Sequence, residues 1–279
     1  MSKPQVAVLD ARPLRSIAEQ NLAELGGRCS VLARQKEDHV ELDGLLRKLG
    51  ELAPAEQDSA LLSIYRLVFP HAFAEEAVLW PVIRQVLPDG EALTLKVERE
   101  HQEINGLVTR LEAMDASEPA RQDLIDRTVR LLRQDVRDEE DVLLPRLQSR
   151  LSEWQLQLLG TAWELVRQIA PTRAHPVVSR RPPGNVLAAL PLSLLDRARD
   201  LVDLALQQQG GQTGEPLHWA SIALRRASHD LERLPIMRRG EDPSTRSEAA
   251  PGLSWGTVVL ASLAAPLIFT ATSRWWHGR

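Results

Sequence analysis

The chain has 279 residues, 43% hydrophobic and 26% charged, with a formal net charge of −4. That length allows one compact domain with an appendage, and arginines interleaved with acids, forming no basic face, argue against a nucleic-acid partner. A single cysteine, Cys29, excludes an intrachain disulfide and a cysteine-built zinc site.

Strand formers are sparse while Leu, Ala, Glu and Arg dominate, which points to an all-α protein. Residues 1–28 read as an irregular N-terminal segment without the apolar run of a signal peptide, so the domain that follows is expected on the cytoplasmic side. Apolar residues spaced three and four apart then predict helices near 30–50, 57–87, 91–114 and 120–150. Gly50 and Pro54, Pro88 to Gly90, and Pro119 mark the breaks. Connections this short favour antiparallel neighbours, so 29–150 is expected to be an up-down-up-down four-helix bundle. A fifth helix is expected within 151–170, where Ser152 and Gln155 have capping-box spacing. A Pro- and Arg-rich extended linker or strap follows at 171–191. An accessory helical pair at 192–235, near 192–209 and 216–234, is split by Gly210, Gly211 and Gly214. Residues 236–252 read as a flexible tether. The stretch 251–272 carries no charge over 22 residues, roughly the 30 Å of a hydrocarbon layer. With Trp255 at one end and Trp275, Trp276 and Arg274 at the other, it reads as a single transmembrane helix at 253–273, a tail anchor in membrane lipid. A buried packing helix is the alternative.

The inward stripe of each bundle helix should be apolar. All four stripes are broken by a histidine or a carboxylate: His39 in the first, His71 and Glu75 in the second, His101 in the third, Asp135 and Glu139 in the fourth. Burying several ionised acids without compensation would cost more than a domain's net stability, and a multivalent cation is the simplest compensation. His71 with Glu75, and Asp135 with Glu139, stand four apart on one face. The segments HAFAEEAVLWP and DVRDEEDVLLP align without a gap, matching Glu75 to Glu139, Glu76 to Glu140 and Pro81 to Pro145. Such two-fold pseudosymmetry is expected where two carboxylates bridge two metals. Imidazole and carboxylate donors without thiolate suit iron or manganese better than structural zinc.

A first-helix histidine, H-x-x-x-E-E running to a proline, a histidine in EREHQEI, and E-E running to LLP together resemble the hemerythrin-like HHE cation-binding domains over about residues 30–150. The resemblance implies two non-haem iron ions, with manganese as the alternative, and a position open to dioxygen, peroxide or nitric oxide. By position it implies His39, His71, His101, Glu75 and Glu139 as ligands. The family usually has histidine where this chain has Asp135. A three-His, carboxylate-rich centre should favour the ferric form over reversible oxygen carriage; alternatively, the change weakens one metal position. Glu76 and Glu140, beside the ligands but off the stripe, are candidates for carboxylates that orient the ligating imidazoles, and Asp43 and Glu98 are either such groups or solvated. No general acid or base stands apart from the ligands, so no catalytic residue is named.

The leading expectation is a membrane-tethered di-iron protein that senses or detoxifies a small oxidant, decomposing peroxide if it is an enzyme. An iron- or oxygen-responsive regulator and a metal-free membrane-associated scaffold are the alternatives. Cys29 reads as a small packed residue. His175, His218 and His229 form no ligand pair and receive no role. Arg180, Arg181, Arg225, Arg226, Arg238 and Arg239 are expected either to meet acidic lipid headgroups or to be solvated and paired.

Overall fold

The structure, a computed structural model, describes residues 14–208 and 215–247. These residues form helices and no strands. After a 3-10 turn at Ile17–Glu19 comes α1 (Val31–Glu51), started by Ser30, whose hydroxyl accepts from the Leu32 N–H. Helix α2 (57–86) is one rod in three parts, Gln57–Ala74, a π turn at Glu75–Leu79, and Trp80–Val86. Helix α3 is Gly90–Leu111. Helix α4 (121–148) repeats the pattern of α2, with a π turn at Glu139–Leu143 between Arg121–Asp138 and Leu144–Gln148. Helix α5 is Glu153–Ile169 and begins with the expected capping box of Ser152 and Gln155. Helices α6 (Gly184–Gln208) and α7 (Glu215–Glu232) pack on each other.

Successive helices α1 to α4 pack on their neighbours and α1 touches α4, as a bundle with short connections requires. Helix α5 lies across α1 and α2. It gets that close because residue 160 has no side chain: a Cβ on Gly160 would stand 2.0 Å from the Cys29 carbonyl oxygen.

The bundle interior has two apolar layers. One contains Leu42, Leu46, Ile64, Phe69, Ile104, Val108, Leu124 and Leu132, and the other Leu32, Leu79, Trp80, Ile83, Val97, Leu143, Leu144 and Trp163. Each fully buried Leu or Ile contributes about 1.5–3 kcal/mol by leaving water. Along every helix the stripe passes from one layer to the other through the polar residues singled out above, so the candidate site is a polar slab between two apolar ones.

The chain after α5 departs from expectation. Helix α6 starts at Gly184 and runs through Pro191, earlier than 192. The segment 170–183 is a buried strap rather than an open linker, because its polar side chains find carboxylates far away in the sequence. Arg173 pairs with Glu112, Asp200 and Asp203, and Thr172 and Arg173 donate their backbone N–H groups to Asp196. Residues 236–247 are not a free tether either. Met237 and Arg239 accept from the N–H groups of Ser179 and Gly184, and Glu241 accepts from Arg180 N–H. The expected transmembrane helix at 253–273 lies outside the described residues; among those described, no helix is long and apolar enough to cross a membrane.

His175, given no role by the sequence, is the centre of this strap. Its backbone N–H donates to Asn105 on α3, and its ring lies between Glu232 (Nδ1 to Oε2, 3.2 Å) and Asp196 (Nε2 to Oδ2, 3.0 Å). Burial alone would lower this imidazole, but Asp196 and then Glu232 outweigh it and push it up to about 10. The resulting stabilisation is complete below the ordinary value of 6.5 and is lost as pH climbs toward about 10. Urea midpoints of the wild type should therefore fall between pH values of about 6.5 and 10, while His175→Gln should start lower and change less over that window.

Candidate metal centre

The two π turns come first, because they aim the acids. Trp80 N–H reaches back five residues to the Glu75 carbonyl, and Leu144 N–H does the same to Glu139. In each case the next residue is a proline, Pro81 or Pro145. Proline brings no N–H and its ring clashes with the carbonyl four residues back, so a widened turn just before it relieves the helix. The widened turn also lets two consecutive glutamates serve one interior. Glu75 and Glu76 are both buried, as is Glu139, and the Glu140 side chain is 14% exposed.

All six residues taken from the stripes, His39, His71, Glu75, His101, Asp135 and Glu139, are buried and meet in two overlapping groups. His39, His71, Glu75 and Glu139 form one, and His101, Asp135 and Glu139 the other, each with donor atoms within 4.8 Å of one another. Glu75 reaches toward both, with Oε1 at 3.1 Å from His71 Nε2 and Oε2 at 3.7 Å from His101 Nε2. Glu139 does the same from α4, 3.2 Å from His39 Nε2 and 4.0 Å from His101 Nε2. Asp135 Oδ2 is 3.4 Å from His101 Nε2.

Each imidazole is held by a carboxylate behind it. His39 Nδ1 donates to Glu140 at 3.0 Å, His71 Nδ1 to Asp38 at 3.0 Å, and His101 Nδ1 to Glu76 at 2.9 Å. With the Nδ1 proton so engaged, the Nε2 lone pair points into the centre, the usual arrangement behind a metal-ligating histidine. Glu76 and Glu140 thus stand where an orienting carboxylate should. Asp43 does not, being paired with Arg47 and Arg133 on the surface. Nor does Glu98, which is buried between Arg84 and Arg181. Asp38 was missed because it lies one residue off the stripe; the available signal was that it adjoins His39 as Glu76 adjoins Glu75. Arg180 and Arg181 do not face lipid. Arg180 Nη1 is 3.7 Å from Glu76, and Arg181 pairs with Glu98 and Glu91.

The remaining polar atoms test whether a metal fits. His39 Nε2, His71 Nε2, both Glu75 oxygens, Asp135 Oδ1 and Glu139 Oε1 are buried without a hydrogen-bond partner. Orphans of this kind are costly and rare, and these converge as a nitrogen and oxygen donor set. Burial alone would discharge His39 and His71, yet Glu139 and Glu140 push His39 up to about 9, and Glu75 and Asp38 push His71 up to about 10. Burial likewise opposes the charge on His101, which Asp135 and Glu76 hold well above the usual imidazole range. Burial, then the charges of Glu75 and Asp135, raise Glu139; burial would raise Glu75 as well, but His71 and His101 hold it low. Protons on the imidazoles therefore stand in for cations, and a metal ion has to displace them, so its binding tightens as pH rises.

A cavity of about 20 Å³ adjoins the centre, lined in part by Val68, His71, His101, Asp135 and Glu139. That is room for about one water-sized guest. His39, Leu42, Leu132 and Val136 also border a surface groove of about 320 Å³, rimmed by Lys36, Arg47, Arg133 and Arg137.

A family model described as the hemerythrin HHE cation binding domain matches residues 30–147. An uncharacterized hemerythrin-like protein of Schizosaccharomyces pombe is 25% identical over 134 residues, 48% of this chain and 66% of its own length. A DNA nickase of Nostoc sp. is 28% identical over 131 residues, 47% of this chain and 37% of its own length. The similarity spans less than two thirds of either relative, and no solved structure matches.

Proposed function

Residues 30–147 are a hemerythrin HHE cation-binding domain, and from that premise we propose that the bundle holds two iron ions and uses them on a small oxidant, with peroxide, dioxygen and nitric oxide as the ligand class. The observation that carries the reading is the convergence of unpartnered Nε2 and carboxylate atoms beside a cavity of about 20 Å³. His39, His71, Glu75 and Glu139 would hold one ion; His101, Asp135 and Glu139, with Glu75 shared, would hold the other. With Glu75 and Glu139 shared, each ion would have four protein donors, two of them imidazoles in the first group and one in the second. Donors without thiolate favour iron, then manganese, and iron bound there supplies a Lewis acid and a one-electron couple.

The chain's own residues do the rest. Asp38, Glu76 and Glu140 fix the tautomer and aim of the three imidazoles. Leu42, Val68, Leu132 and Val136 wall the cavity and keep bulk water and larger molecules out. The groove beside His39 carries both signs, with Lys36, Arg47, Arg133 and Arg137 facing Asp43 and Glu140, which suits an uncharged ligand. A regulatory reading, in which occupancy is passed to α6 and α7, is favoured by the contact of Arg180 with Glu76. The uncharged stretch 251–272 supports a membrane tether for the whole.

Anaerobic reconstitution with ferrous iron, followed by metal analysis and optical spectra on adding oxygen and then peroxide, tests the proposal. Two irons per chain and rapid loss of peroxide are the result expected of an enzyme. Two irons with a lasting spectral change and no turnover would assign it to sensing, and the absence of stoichiometric metal would overturn both.

A further inference from the structure

Two cations stand behind the imidazole and carboxylate pairs without a role so far: Arg180, which is buried, and Arg167, whose side chain is 29% exposed. Arg167 comes from α5 and Arg180 from the strap, so neither belongs to the four bundle helices. Arg167 Nη1 donates to Asp38 Oδ2 at 3.3 Å, the same oxygen that holds His71. Its guanidinium lies 5.2 Å over the Trp163 ring, which in turn meets His71 edge-on at 5.3 Å. Arg180, 8% exposed at its side chain, places Nη1 3.7 Å from the Glu76 oxygen that holds His101, while Nη2 donates to the carbonyls of His175 and Val178. Two of the three imidazole and carboxylate pairs are thus backed by an arginine. The third, His39 with Glu140, instead borders the groove.

The charges close in an informative way. The ligand carboxylates Glu75, Asp135 and Glu139 and the orienting carboxylates Asp38, Glu76 and Glu140 make six negative charges. Imidazoles bound through Nε2 with Nδ1 protonated are neutral. Glu164, the other partner of Arg167, is neutralised by Arg34; against Arg167 and Arg180 the balance is then four negative charges, the charge that two ferrous ions neutralise. Oxidation of each ion releases one electron to an external acceptor and leaves one uncompensated positive charge in a buried slab, where charge is expensive.

We propose that Arg167 and Arg180 are positioning residues that set the charge of the centre, holding its reduced, divalent state as the electrically balanced one; this rests on the two-iron reading. Removing either arginine makes the slab more negative and favours the oxidised ions. A unit charge about 10 Å away at an effective dielectric of about 20 is worth on the order of tenfold in an equilibrium constant.

The test uses the full chain, reconstituted anaerobically with ferrous iron, as wild type, Arg167→Gln, Arg180→Gln and Arg180→Lys. Iron per chain is measured first, then the midpoint potential by spectroelectrochemical titration with mediator dyes. Two irons are expected in each, with the oxidised form favoured about tenfold in both Gln variants, a fall of about 59 mV for a one-electron couple. Arg180→Lys, which keeps the charge, should stay close to wild type. Because Arg180 also pins the strap, Arg167→Gln gives an independent route to the same shift. Gln variants that load two irons and titrate with the wild type overturn the proposal, whatever their melting temperatures. Substoichiometric iron in the wild type overturns the two-iron reading and this proposal with it.

Discussion

Replacing Glu139 by Gln should strip the centre of metal while leaving the metal-free fold at least as stable as before. Glu139 belongs to both ligand groups, and it is 1% exposed. Gln keeps its size but removes the charge that a cation needs. Loss of an orienting carboxylate such as Glu140 costs about 10–100-fold in metal affinity, and loss of the shared ligand should cost more than about a hundredfold. Asp135→Asn touches only the second group and should leave one ion bound. The metal-free half of the prediction follows from electrostatics. Burial and the charges of Glu75 and Asp135 already disfavour ionised Glu139, so deleting that charge removes an unfavourable term. Metal analysis after reconstitution and melting of the chelated protein read the two halves separately. A chelated variant that melts well below the chelated wild type would show that Glu139 is a structural residue instead.

The second large effect should come from a single methyl group. Gly160→Ala puts a Cβ 2.0 Å from the Cys29 carbonyl and 2.7 Å from Val31 N, so backbone has to move. Overpacking of this kind typically costs about 1–3 kcal/mol and occasionally more. We expect about 3 kcal/mol, a fall in Tm of roughly 6–12 °C for a domain of this size. The displaced helix carries Trp163 and Arg167 with it, so their contacts with His71 and Asp38 should loosen as well. Gly44→Ala is the control: nothing lies within 4 Å of its added Cβ, and an exposed mid-helix Gly→Ala change should stabilise by about 0.5–1 kcal/mol. Thermal melts of the two variants side by side decide the matter, since equal effects would show that crowding at Gly160 is absent.

The six stripe residues were legible because burial on a helix is periodic, and a polar residue breaking that period stands out. The boundaries of α1 to α5 were legible for the same reason, to within a few residues, whereas α6 starts at Gly184 and not near 192. Same-helix spacing left Asp43 and Glu98 open between a solvated and an orienting role. An imidazole's Nδ1 points across to a neighbouring helix, so its partner, Asp38, Glu76 or Glu140, is set by tertiary packing that no spacing rule captures. Linker and strap stayed open alternatives because the arginines of this segment look solvated or paired alike until Glu112, at the end of α3, and Asp200 and Asp203 on α6 supply partners. Pairings between distant residues leave no period. The π turns had a visible cause in Pro81 and Pro145, but the cause reads as a break unless the acidic doublet before it is considered too.

The reciprocal pairs Glu76 with His101 and Glu140 with His39 also bear on assembly. Helices α1 and α2 form one hairpin and α3 and α4 another, and in these pairs each hairpin orients an imidazole belonging to the other. A lone α1–α2 hairpin keeps the aim of His71 through Asp38 but not that of His39, a lone α3–α4 hairpin leaves His101 without its partner, and the complete donor set exists only once the halves have docked. Metal capture is then a late event on the folding route. If release of a bound ion required the hairpins to part, the lifetime of a loaded centre would report how often the bundle opens along that seam.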